Sequence, residues 1–78
     1  MNQVKEHGDR LLSTSAVARI LSLSKRTVHR LNASALIVRP LRISGSVRYL
    51  ESELMAWIRA GMPSRQEWES MRENGHAN

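Results

Sequence analysis

Residues 21–31 read LSLSKRTVHRL, which sets Lys25, Arg26, His29 and Arg30 close together with no acidic residue among them. Cations at this density hold phosphate or carboxylate groups through charge-assisted hydrogen bonds. A second set follows in LRISGSVRY, residues 41–49, where Arg42 and Arg48 flank Ser44, Gly45 and Ser46. Other chemistries lack their groups. The chain has no cysteine, so neither a disulfide nor a thiolate metal site is available. His7, His29 and His76 are too scattered for a helical ligand pair, which needs a spacing of about three or four residues. The basic stretches contain no carboxylate pair, no glycine-rich phosphate loop and no nucleophile beside an evident base. Neither an enzyme, nor a metal, nor a cofactor is expected.

Charge is distributed unevenly along the chain. The net charge is +5, yet Arg10 to Leu50 hold eight Lys/Arg and no Asp or Glu, whereas Glu51 onward holds five Glu against three Arg. A basic half beside a mildly acidic half predicts one face meant for a polyanion. The 78 residues accommodate one small domain. No apolar run approaches the roughly 18–20 residues that span a bilayer, and MNQVKEHGDR lacks the apolar core of a secretory signal. These features lead to the expectation of a cytoplasmic protein. Residues 1–10 and 74–78 are polar and aperiodic and read as flexible tails, leaving residues 11–73 as the domain.

The elements that must position the cations follow from local pattern. In STSAVARIL, Ser13 or Thr14 can cap a helix, and Val17, Ile20 and Leu21 make one apolar stripe. Ser22-Leu23-Ser24 interrupts it, and Ser24 can cap a second helix from Lys25 to about residue 33. At about 100° per residue, Lys25, Arg26, His29, Arg30 and Ala33 fall within an arc of about 140°, and Thr27, Val28 and Leu31 lie opposite. Lys25 and Arg26 oppose the dipole of their own helix, at a cost of roughly 0.3–1 kcal/mol each. A bound phosphate would reverse that penalty.

VRPLRISGSVRYL reads as a β-hairpin. A three-residue loop, Ser44-Gly45-Ser46, would pair Ile43 with Val47 and Leu41 with Tyr49, putting the apolar residues on one face. It would also set Arg42 opposite Arg48, where like charges repel unless an anion lies between them. Beyond it, Leu54, Trp57 and Ile58 mark a third helix that Gly61 stops, with Glu51 and Glu53 at its favourable positive end. Ser64 and Glu67 form a capping box for a short fourth helix with Trp68 and Met71 inward. The tryptophans read as core anchors, since no further aromatic joins them in a row to stack bases. Together these elements predict a mainly α fold with a β-hairpin: a winged helix-turn-helix ending in a helix and a short C-terminal helix.

Residues 11–58, LLSTSAVARILSLSKRTVHRLNASALIVRPLRISGSVRYLESELMAWI, resemble the small excisionase and AlpA-type regulators, relatives of the MerR-type winged helix-turn-helix proteins. AGMPSRQEW resembles an extension seen in such proteins. Ala18, Val28 and Leu31 fall at the family's spaced core positions, and LRISGSVRY is similar to its basic hairpin. Ser22 departs from the pattern, occupying a turn position often held by Gly.

The resemblance implies that Lys25, Arg26, Thr27, His29 and Arg30 belong to a recognition helix in the DNA major groove. It implies likewise that Arg42, Ser44, Gly45, Ser46 and Arg48 form a wing on the minor groove. His29 and Arg30 are placed for base edges; Ser24, Lys25 and Thr27 are placed for phosphate. The implied function is sequence-specific binding of double-stranded DNA, as an excisionase (a recombination directionality factor) or a small transcriptional regulator. A unit of this size contacts little DNA. A monomer is therefore expected in the absence of DNA, and on DNA further copies on adjacent sites, an integrase or RNA polymerase. The alternative is a protein-interaction adaptor whose basic face meets an acidic partner.

Overall fold

The computed structural model describes residues 9–77, with side chains as far as Glu73. A two-residue strand β1 (Leu11–Leu12) leads into helix α1 (Thr14–Leu21), and a tight turn connects to α2 (Lys25–Ala33). A hairpin of β2 (Leu41–Ile43) and β3 (Ser46–Leu50) follows, then α3 (Glu51–Arg59) and α4 (Arg65–Ala77). The sheet is antiparallel in the order β1-β3-β2. This is a winged helix-turn-helix, as the sequence pattern predicts.

Helices α1, α2 and α4 start where a local cap puts them. Ser13 Oγ accepts from the Ala16 amide at 3.1 Å and Ser24 Oγ from the Thr27 amide at 3.0 Å. The Ser64–Glu67 capping box closes both ways, each bond to the main-chain amide being 3.2 Å. No side chain of its own N-cap caps α3. Instead Arg10 O accepts from the Glu51 amide and Asp9 Oδ1 from the Ser52 amide. Asp9 and Arg10 are thus built into the fold, where the sequence reading has a tail; the rest of that tail, residues 1–8, lies outside the described residues. At the other end α4 runs to Ala77, past the expected boundary at residue 74.

The exits of α1, α2 and α3 use one device. Leu23, Leu36 and Met62 amides reach back to the carbonyls of Ala18, Leu31 and Trp57, across left-handed residues Ser22, Ala35 and Gly61. That pattern is the Schellman motif, which satisfies the last carbonyls of a helix. Only Gly61 adopts it without Cβ strain; Ser22 (φ 58°) and Ala35 (φ 57°) carry a cost. The turn after α1 therefore keeps its left-handed geometry without glycine.

Val17, Ala18, Val28, Ile37, Val38, Tyr49, Leu54 and Trp57 make the core, with Leu12 and Trp68 at its edge. Two inward assignments change. Ile20 is exposed although its stripe reads as inward, whereas Ala18 is buried as the resemblance implies; Met71 is exposed too, while Ile37 and Val38 are fully buried from the irregular segment before β2. Trp57 Nε1 donates to Pro63 O at 2.8 Å, which holds α4's approach against α3.

The hairpin register differs from the expected one. Leu41 pairs with Arg48, Arg42 with Val47 and Ile43 with Ser46, leaving a two-residue turn, Ser44-Gly45. Both turn residues have positive φ, 48° and 84°, the I′ geometry whose twist matches the strands. Burial could not oppose this choice, because every residue of β2 is exposed. Val47 and Tyr49 face inward with Arg42 beside Val47. Leu41 and Ile43 share the other face with Arg48 and Ser46. Arg42 and Arg48 therefore lie on opposite faces of the hairpin, and the expected repulsion between them does not arise.

Candidate nucleic-acid interface

Helix α2 packs against α1 through Val28, fully buried, and Leu31, half-buried. That anchoring leaves Lys25, Arg26, His29 and Arg30 exposed on one side. No acidic residue occupies the first turn of α2, so its free amides and two cations present the same sign. The N-terminal hydroxyls are engaged with one another. Ser24 Oγ donates to Thr27 Oγ1 at 2.9 Å while accepting the Thr27 amide. Ser24 has thus committed its proton to the cap, and of the pair only the Thr27 hydroxyl keeps one to donate outward.

The turn at the hairpin tip is exposed. A Cβ at Gly45 would meet no atom within 4 Å, so its left-handed backbone, and not crowding, favours glycine. Arg48, half-buried, folds its Nη1 onto the Val47 carbonyl at 2.8 Å. Arg42 projects from the opposite face.

Three elements meet at a shallow cleft of about 300 Å³. Lys25 and His29 of α2 line one wall, Ser46 and Arg48 of β3 another, and the start of α1, including Ser15, the third. The cleft gathers four of the residues expected to act, Lys25, His29, Ser46 and Arg48, and not Ser24, Arg26, Thr27, Arg30, Arg42, Ser44 or Gly45. Ser15 lines the cleft although the sequence reading assigns a role only to its neighbours Ser13 and Thr14, as caps.

The ion pairs separate neutralised cations from unneutralised ones. Glu51 grips Arg10 with two bonds of 3.0 Å, and Glu69 grips Arg39 with bonds of 2.9 and 3.2 Å. Glu53 takes both Arg72, at 2.6 Å, and the Trp68 indole, at 3.0 Å. Hydrogen bonds from Arg10 and Arg39, followed by their charge, hold Glu51 and Glu69 below the usual carboxylate range. Among the described residues no ion pair involves Lys25, Arg26, Arg30, Arg42 or Arg48. Every acidic partner used lies away from α2 and the hairpin tip, and the arrangement leaves a surface that attracts phosphate.

Among the described residues no helix is long and apolar enough to cross a membrane. A family model described as a helix-turn-helix domain matches residues 11–62, from β1 to the exit turn of α3. No curated protein and no solved structure matches the chain.

Proposed function

The chain belongs to the helix-turn-helix domain family, typical of excisionase- and AlpA-like small DNA-binding proteins, and from that premise we propose how it reads DNA and to what end. DNA is the partner that the family implies. In the proposed complex α2 lies in the major groove, with Arg30 and His29 toward base edges. An Arg bidentate to guanine is the commonest specific contact there. Lys25, Arg26 and the Thr27 hydroxyl take phosphates, and Ser24 holds the helix start in place for them. The Ser44-Gly45-Ser46 tip enters the minor groove. With Arg42 and Arg48 on opposite faces, the wing addresses phosphates on both walls of that groove, which is only about 6 Å wide.

The observation that carries this reading is the selective neutralisation. Among the described residues, carboxylates pair with Arg10, Arg39 and Arg72, and none takes a cation of α2 or the hairpin. The biological role that follows is an excisionase shaping a recombination site, or a small regulator of transcription. Copies on adjacent sites, an integrase or RNA polymerase would supply the contacts that a single small unit lacks.

The experiment is selection from a random-sequence duplex pool, followed by fluorescence anisotropy on selected and unselected duplexes. A selected sequence should bind about 10³-fold more tightly than the pool, the lower end for specific recognition. Arg30→Ala should lose about 1–3 kcal/mol on that sequence and less on the pool. Absent DNA binding, with tight binding to polyglutamate, would overturn the reading in favour of the acidic-protein adaptor. Mapping bound sites in cells to attachment sites or to promoters separates the two DNA roles.

A further inference from the structure

The family match ends at residue 62, yet the helix that follows is bonded directly to the helix proposed to read DNA. Arg65, the first residue of α4, spreads its guanidinium across the exit of α2. Nη2 donates to Asn32 Oδ1 at 2.7 Å and, more weakly, to Asn32 O at 3.5 Å; Nε donates to Ile37 O at 3.0 Å. The Arg65 amide donates to Ala35 O at 3.0 Å. Main chain and side chain of one residue thereby hold residues 32, 35 and 37, the whole left-handed turn by which the chain leaves α2. A cation also suits this place, where the last carbonyls of a helix carry partial negative charge.

Arg65 is itself fixed from behind. Its helix starts in the Ser64–Glu67 capping box. The helix is joined to the rest of the fold by Trp68 and Arg72 on Glu53 and by Glu69 on Arg39. The Arg65 charge reaches the core as well, where it partly offsets the rise that burial imposes on the Tyr49 phenol. By contrast, α2 rests on α1 through Val28 and Leu31 and its side-chain bonds at the start stay within the Ser24–Thr27 pair, while its last turn carries Arg30 and exits through a strained Ala35. Nine residues at about 1.5 Å each make a lever of roughly 13–14 Å. A tilt of about 10° then displaces its far end by about 2 Å, several times the roughly 0.5 Å tolerance of a working contact constellation.

We infer that Arg65 is a positioning residue for DNA reading: α4, outside the matched family region, fixes the angle at which the last turn of α2 meets the bases. Long side chains on phosphates adapt to a tilted helix, whereas a bidentate base contact does not. Losing the brace therefore removes discrimination between sequences and leaves general attraction to DNA.

The inference rests on the DNA-binding reading above, and two measurements keep the two separable. Wild type, Arg65→Ala and Arg65→Lys are compared at a temperature where circular dichroism shows each fully folded. Lysine keeps charge and stem but loses the fork, so it remains informative if the alanine variant does not fold. Amide hydrogen exchange at residues 33–36 should accelerate at least tenfold in either variant relative to Val17 and Leu54. The affinity ratio of the selected duplex to the random pool should fall at least fivefold, with pool affinity and its salt dependence within twofold of wild type. Exchange unchanged in Arg65→Lys overturns the brace. A lowered melting temperature with an unchanged ratio, or equal losses on both duplexes, overturns the positioning role. Wild type that prefers no sequence refutes the DNA reading itself, and the exchange data still decide whether the brace exists.

Discussion

The salt dependence of DNA binding can be worked from the ion pairs. Of the eight Lys/Arg between residues 10 and 50, Arg10 and Arg39 are held by carboxylates, and Arg19 stands on α1, outside the proposed contact set. On α2 and the hairpin, Lys25, Arg26, Arg30, Arg42 and Arg48 are not, among the described residues. On random-sequence DNA, where Arg30 finds no preferred base and falls back on phosphate, all five neutralise phosphates. At about 0.9 per phosphate, log affinity should fall against log salt with a slope of about −4.5, or about 500-fold between roughly 50 and 200 mM. Anisotropy with a fluorescent random duplex over that range measures it. Arg42→Ala and Arg48→Ala should each flatten the slope by about 0.9. Deleting the whole Arg39–Glu69 pair should leave it unchanged, because that arginine is already neutralised. A wild-type slope shallower than about −2 would refute the assignment of these cations to phosphate. Flattening by only one of the two wing variants would refute the placement of the wing between both groove walls.

Three predictions concern stability. Trp57 is 2% exposed, so Trp57→Ala should cost about 3–5 kcal/mol, a large part of the stability of so small a domain; an unchanged thermal melt would contradict its place in the core. Ala35→Gly relieves a left-handed residue whose strain is about 1–2 kcal/mol, less the chain entropy that glycine adds. The net gain should be about 0.5–1 kcal/mol, read as a rise of about 2–8 °C in the melting midpoint, and a fall would mean that the alanine methyl has a packing role. Glu51 and Glu69 have folded-state pKa values below their unfolded ones, so on acidification the unfolded chain takes up protons first. Their stabilisation is present at neutral pH and is lost as pH falls through and below about 4.3; melts of Arg10→Ala and Arg39→Ala should show a weaker acid dependence than wild type.

What could be read directly in the sequence was whatever a few neighbouring residues decide. Ser13, Ser24 and the Ser64–Glu67 pair cap their helices because a hydroxyl or carboxylate reaches an amide within one turn, wherever the rest of the chain goes. The basic side of α2 follows from the spacing of Lys25, Arg26, His29 and Arg30 against Val28 and Leu31. Residues that act across the fold left no such trace. The hairpin register was read from side-chain alternation, but β2 is exposed throughout, so burial had no hold on it and the Ser44-Gly45 turn decided. Ile37 and Val38 fill the core from a stretch without period. Uneven charge along the chain announced an anion-binding face, yet it could not say which arginines form it. Arg10 and Arg39 are taken by glutamates 41 and 30 residues away, and Arg65 reaches back 33 residues to Asn32. Sequence alone therefore determined the helices, their caps and the basic character of one face. Which cations are left without a carboxylate among the described residues, and what holds the helix that carries them, came from long-range packing, because those outcomes depend on distances that chain separation does not encode.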